Sequence, residues 1–135
     1  PKMAERGKGT FLVTSATAAM RGNTGQHSHA AAMGGRRLLC QSLNAEFGPQ
    51  GVHVAQIMID GSVNAPDTLG KLLGEQWDAY KASKGDDGII DPAAIAETYW
   101  HLHSQPKNCW THELDLRPWT DTPWWNDNPI LAIDR

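Results

Sequence analysis

The chain has 135 residues, 40% of them apolar and 20% charged, with a net charge of −3. That is globular composition for one domain, 1–135, and it excludes a disordered chain. Charge is uneven, with six Lys/Arg against four Asp/Glu in residues 1–67 and six against eleven in residues 68–135; neither half is a basic patch, so no nucleic-acid partner is expected.

Residues 1–9 read as a frayed helix end and a Gly-Lys-Gly turn. Thr10-Phe11-Leu12-Val13-Thr14 is a short apolar and β-branched run between Gly9 and the small residues Ser15 and Ala16, the mark of a strand buried on both faces. Arg21 to Gly25 is a loop by its Gly and Asn content. From His29 to Phe47 the period becomes helical, with Leu38, Leu39, Leu43 and Phe47 in step. Gly34 and Gly35 each cost that helix about 1 kcal/mol relative to Ala, which predicts another backbone close by. Gly48-Pro49-Gln50-Gly51 stops the helix, and Val52 to Ile59 is a second strand. Residues 60–66 form a loop, and helical segments follow at about 67–81 and 91–103. The second opens on Asp91-Pro92, a cap followed by Pro at the first helical position. Cys109 to Leu116 alternates as a third strand, and residues 117–135 are a Trp- and Pro-rich tail that wraps a surface.

Strand, helix, strand, helices, strand is the grammar of an α/β fold: a Rossmann-like parallel sheet with helices on both faces. Three strands are few, and the first lacks an upstream neighbour. An apolar strand with a free edge predicts part of a larger unit or a subunit completed by a partner. No apolar run nears the about 20 residues that cross a bilayer, and no secretory pattern opens the chain. Two cysteines, Cys40 and Cys109, fit a reducing compartment. A cytoplasmic protein without a membrane partner is therefore expected. No Cys, His or carboxylate stands at metal-site spacing, so no metal is expected.

Several stretches resemble the short-chain dehydrogenases/reductases. Gly7 to Thr17 is similar to that family's fifth strand and following loop. Leu39 to Val54 resembles the end of its fifth helix and its sixth strand. Ile59-Asp60-Gly61-Ser62-Val63 matches its Pro-Gly-x-Val loop, with Asp in place of Pro, and Glu113 to Trp119 resembles its last strand and tail. The match runs through nearly all of this chain but corresponds to the C-terminal half of a family member. It implies an oxidoreductase of the NAD- or NADP-dependent kind, with Gly61 and Val63 on the cofactor side.

The departures bear on activity. No G-x-G-x-x-G is present to seat a pyrophosphate. Counting back from Glu46, the family's catalytic Tyr and Lys fall on His29 and Met33, and its Ser on Ala16, with Ser15 adjacent. Met33 can neither lower a neighbouring pKa nor hold ribose hydroxyls. His29 as an acid/base is the sharp reading; a polar residue at a helix start is the plain one. Arg37 reads as a solvated or interface arginine. The expectation is a catalytically inactive relative, and the alternative is an active enzyme using His29 once completed by upstream sequence or a partner. The tryptophans Trp110, Trp119, Trp124 and Trp125 gather late and favour an interface. A homo-oligomer is expected, through the helix from His29 to Phe47 and the C-terminal strand and tail.

Overall fold

A computed structural model describes residues 2–126. Its sheet has three parallel strands, β1 (Gly9–Ala16), β2 (Val52–Ile59) and β3 (Glu113–Leu116), in the order β1-β2-β3. Gly9 pairs with Val52 at one end and Ala16 with Ile59 at the other. The expected α/β fold with a Rossmann-like sheet is therefore present. β1 forms one edge, and no described strand lies on its outer side.

Alternation along β2 sorts the core into two layers. Val52 and Val54 pack with Cys40 of α2 (His27–Phe47), joined by Val13, Leu43 and Phe47. Ala55 and Ile57 pack with Leu102 of α5 (Pro92–Ser104), joined by Leu12, Tyr99 and Leu114. β2 is buried along nearly all its length, which is why it reads as a continuous apolar run rather than an alternating one. A short α1 (Lys2–Glu5) adds Met3 and Ala4 to the α2 layer. Between α2 and β2, Gly51 turns the chain at φ 84°, and a Cβ there would run into the Gly7 carbonyl. Only glycine suits that turn.

α5 begins as expected, with Asp91 capping the Ala93 amide at 2.9 Å and Pro92 at its first position. Other elements differ. Residues 66–84 are not one helix but a π-turn (Pro66–Gly70), α3 (Lys71–Leu73), a 3-10 turn (Gly74–Gln76) and α4 (Trp77–Lys84). Pro66, Gly70 and Gly74 break the pattern. The third strand starts at Glu113, because the preceding residues are held by the end of α5: Thr111 donates its amide to Gln105 Oε1 at 2.9 Å, and Trp110 Nε1 donates to the Gln105 carbonyl. Cys109 therefore lies exposed in a turn, not at a strand start. Residues 127–135 of the proposed tail fall outside the described residues.

Candidate active site

Ligands of open parallel sheets bind beyond the C-terminal ends of the strands. Here three segments leave those ends: residues 17–26 after β1, 60–66 after β2 and 117–126 after β3.

β1 runs through Ala16, so Ser15 and Ala16 lie on opposite faces. Ser15 is only 5% exposed, and its hydroxyl has no hydrogen-bond partner. His29 sits in the first turns of α2 and is exposed, as is His27. Met33 is half-buried one turn later. No hydrogen bond or ion pair joins Ser15, His29 and Met33, and no group of three or more His, Cys, Asp or Glu that could hold a metal occurs among the described residues.

Arg37 is partly exposed and has an intramolecular partner that the sequence did not suggest. Its guanidinium makes a bidentate pair with Glu113 at the start of β3, both bonds 2.9 Å. That hydrogen-bonded cation holds the Glu113 carboxyl below its usual range against the opposing effect of burial, and the same bond raises Arg37. Gln56 Nε2 adds a donor to Glu113 at 3.3 Å. This pair joins α2 to the start of β3.

After β2, Asp60 ties down the tail. Its Oδ2 accepts from Arg117 Nε at 3.1 Å and from the Trp124 amide at 3.0 Å. Arg117 also bonds Asp115 and lies over the Trp125 ring, 4.6 Å from its centroid. Lys84 of α4 donates to Asp121 at 3.0 Å, which raises its pKa. Gly61 is needed because Pro118 crowds it: a Cβ there would lie 2.6 Å from Pro118 Cδ. Val63 makes an isolated parallel bridge with Ile90, and Ser62 bonds the Tyr80 hydroxyl. Loop 60–66, residues 77–90 and the tail thus form one tied unit, and the close approach at Gly61 is taken by protein.

Two other expectations are corrected. Nothing packs against the positions a Cβ would take on Gly34 and Gly35, so no described backbone approaches them. The late tryptophans do not form one cluster. Trp110 stacks on His53 before β3, with centroids 4.8 Å apart, whereas Trp119, Trp124 and Trp125 follow β3 at its other end. Cys40 is buried and packed as expected, and burial raises its thiol pKa.

No family model and no curated protein matches the sequence. Solved structures do. A short-chain dehydrogenase from Rhodopseudomonas palustris is 32% identical, with a TM-score of 0.64 over 87% of this chain and 42% of its own. The closed form of a serine dehydrogenase complexed with NADP+ is 19% identical, with a TM-score of 0.75 over 100% of this chain and 52% of its own. An NADPH-bound short chain oxidoreductase from Pseudomonas aeruginosa PAO1, described as containing an atypical catalytic center, is 24% identical, with a TM-score of 0.66 over 86% and 47%.

This chain resembles the short-chain dehydrogenase/reductase superfamily. It spans about half the length of those structures. Gly61 faces Pro118, Val63 is engaged by Ile90, and Arg37 is neutralised by Glu113. The Arg37–Glu113 and Asp60–Arg117 pairs escaped the sequence reading. One signal for the latter was present: Asp60 stands where the short-chain dehydrogenase/reductase loop has Pro, and a new carboxylate at a strand end needs a partner.

Proposed function

We propose that this chain is the C-terminal half of a short-chain dehydrogenase/reductase scaffold and is catalytically inactive by itself. The observation that carries this is the start of α2, where the family's Tyr and Lys positions hold an exposed His29 and a thioether, Met33, and where Arg37, one turn further on, is paired with Glu113. A phenol-to-ammonium relay needs both groups one helical turn apart. NAD or NADP remains the cofactor class by resemblance alone. Tryptophan fluorescence titrated with NAD(H) and NADP(H) tests the reading. No saturable quenching up to millimolar cofactor is expected, and saturation in the micromolar range would overturn it.

The second reading is an active oxidoreductase with His29 as acid/base, completed by upstream sequence or a partner chain. It is supported by the Pseudomonas aeruginosa oxidoreductase, a protein of the same fold described as having an atypical catalytic center. Its mark would be cofactor-dependent activity lost in His29→Ala and retained in Ser15→Ala.

We further propose self-association through the outer face of α2 and the C-terminal strand and tail. Leu38 and Leu39 are 61% and 56% exposed, on a face that also carries Ala31 and Gly35, and such apolar exposure favours burial against a second copy. A dimer or larger on sizing is expected; a clean monomer with a stable melt counts against it. Two free cysteines and the absence of a helix long and apolar enough to cross a membrane among the described residues support a cytoplasmic setting.

A further inference from the structure

A pocket of about 540 Å³ lies at the N-terminal ends of β2 and β3, the opposite end of the sheet from the candidate active site. The end of α2, the start of β2 and residues 107–112 line it, so it stands on the β3 side of β2 and takes no part of β1. Its wall is held by bonds that use up several polar groups. Gln105, just after α5, accepts from the Thr111 amide and donates to the Thr111 hydroxyl, both at 2.9 Å, and its carbonyl accepts from Trp110 Nε1 at 3.3 Å. Trp110 in turn stacks on His53.

The groups left over say what kind of ligand fits. His53 lines the pocket and is 2% exposed, and its Nε2 donates to the Thr111 carbonyl at 2.7 Å. A carbonyl can only accept, so Nε2 carries the proton and Nδ1 of the neutral ring is an acceptor. That Nδ1 is buried with no hydrogen-bond partner among the described residues. The same logic puts the His112 proton on Nδ1, 3.0 Å from the Val54 carbonyl, and leaves its Nε2 as the accepting nitrogen. Lys107 is the charged side chain of the lining, and no carboxylate joins it. It spends one ammonium proton on the Gly7 carbonyl and has two more. A cation finds no counter-charge here. A bare anion answers Lys107 but not His53, which needs a donor. A ligand that answers both carries a negative charge and a hydroxyl, and the volume is that of a small-molecule site.

We propose that this pocket binds a small polyhydroxylated carboxylate of the sugar-acid class, with its charge on Lys107 and a hydroxyl donating to His53 Nδ1. The test uses the whole chain and three probes of similar size: galactonate, which has both groups, hexanoate, which has the charge alone, and galactitol, which has the hydroxyls alone. Nitrogen NMR of the histidine rings reads His53 Nδ1 directly, because its resonance moves when the lone pair accepts a hydrogen bond. Galactonate should move it and saturate, binding at least about tenfold tighter than either other probe, the worth of one charge-assisted bond. Lys107→Gln, at an exposed site, should remove that advantage while galactitol binding and the circular dichroism spectrum stay as they are. His53→Gln should weaken galactonate and galactitol but not hexanoate. A His53 resonance that no probe moves, because a fixed water or another part of the protein already answers the nitrogen, would overturn the proposal. So would equal binding of the three probes, or a galactonate preference that survives Lys107→Gln.

Discussion

The β3 side of the sheet and the β1 side close their polar groups differently. On the β3 side every charge at the strand ends is answered: Glu113 by Arg37 and Gln56, Asp60 by Arg117 and the Trp124 amide, Asp121 by Lys84. On the β1 side the Ser15 hydroxyl is buried without a partner, His29 projects from an uncapped helix start, and no strand among the described residues pairs with the outer edge. Buried polar groups in a stable interior are normally satisfied. The contrast teaches that the interactions fastening α2, β3 and the tail are satisfied among the described residues, whereas the buried hydroxyl at the end of β1 is not.

The largest effect should come from emptying the closed side. Leu102 is fully buried against Ala55 and Ile57. Leu102→Ala removes that packing and leaves a cavity, at a cost of about 2–5 kcal/mol. Urea unfolding followed by circular dichroism measures it. A loss below 1 kcal/mol would mean that α5 is not part of the cooperative core.

Next is the Arg37–Glu113 pair. Arg37→Met keeps the stem and strands a half-buried carboxylate, costing about 1–3 kcal/mol at neutral pH. The sign with pH follows from the lowered Glu113 value. Its stabilising contribution is fully present above the ordinary glutamate pKa of about 4.3 and is lost as pH falls through the lower folded value. The difference between wild type and variant should therefore shrink as the medium is made more acid than that. A difference that stays constant to pH 3 would place the loss in packing of the arginine stem instead.

A smaller, more local effect is expected at the tail. Asp60→Asn removes the charge that Arg117 and the Trp124 amide share, worth about 1–2 kcal/mol as charge-assisted bonds. The sheet should keep its melt to within that amount, while Trp124 and Trp125 shift their emission to the red and residues 117–126 become more open to protease. If the emission is unchanged, the Lys84–Asp121 bond and the Arg117–Trp125 contact suffice to hold the tail.

These ion pairs also mark where the sequence stopped being informative. β1, β2 and α5 were legible because local signals agree: an unbroken apolar run for each strand, and Asp91-Pro92 for the helix start. The face of α2 was half legible: Leu43 and Phe47 of the periodic set pack on the sheet with Cys40, but Leu38 and Leu39 of the same set are exposed. Arg37 finds Glu113 across 76 residues and Arg117 finds Asp60 across 57, and no local period encodes a pairing at that separation. The tryptophans misled for the same reason. Nearness in sequence put Trp110 with Trp124, but β3 runs between them and carries them to opposite ends of the sheet. In the site, the replacements at His29 and Met33 were visible by counting alone, whereas the Pro118 contact at Gly61 required the fold.

The smallest expected change sharpens the comparison at the open side. Gly35 is an exposed residue in the middle of a helix, with nothing near the position a Cβ would take. In the isolated chain Gly35→Ala relieves the backbone entropy of glycine and should stabilise by about 0.5–1 kcal/mol. Self-association through the outer face of α2 makes the opposite demand, because a glycine on a helix face lets a second helix come close. Stability measured at low protein concentration should rise, and the dimer fraction on sizing should fall. If both rise together, the α2 face is open to solvent and the oligomer contact lies at β3 and the tail. A fall in stability at every concentration would instead mean that a backbone outside the described residues already packs on Gly35.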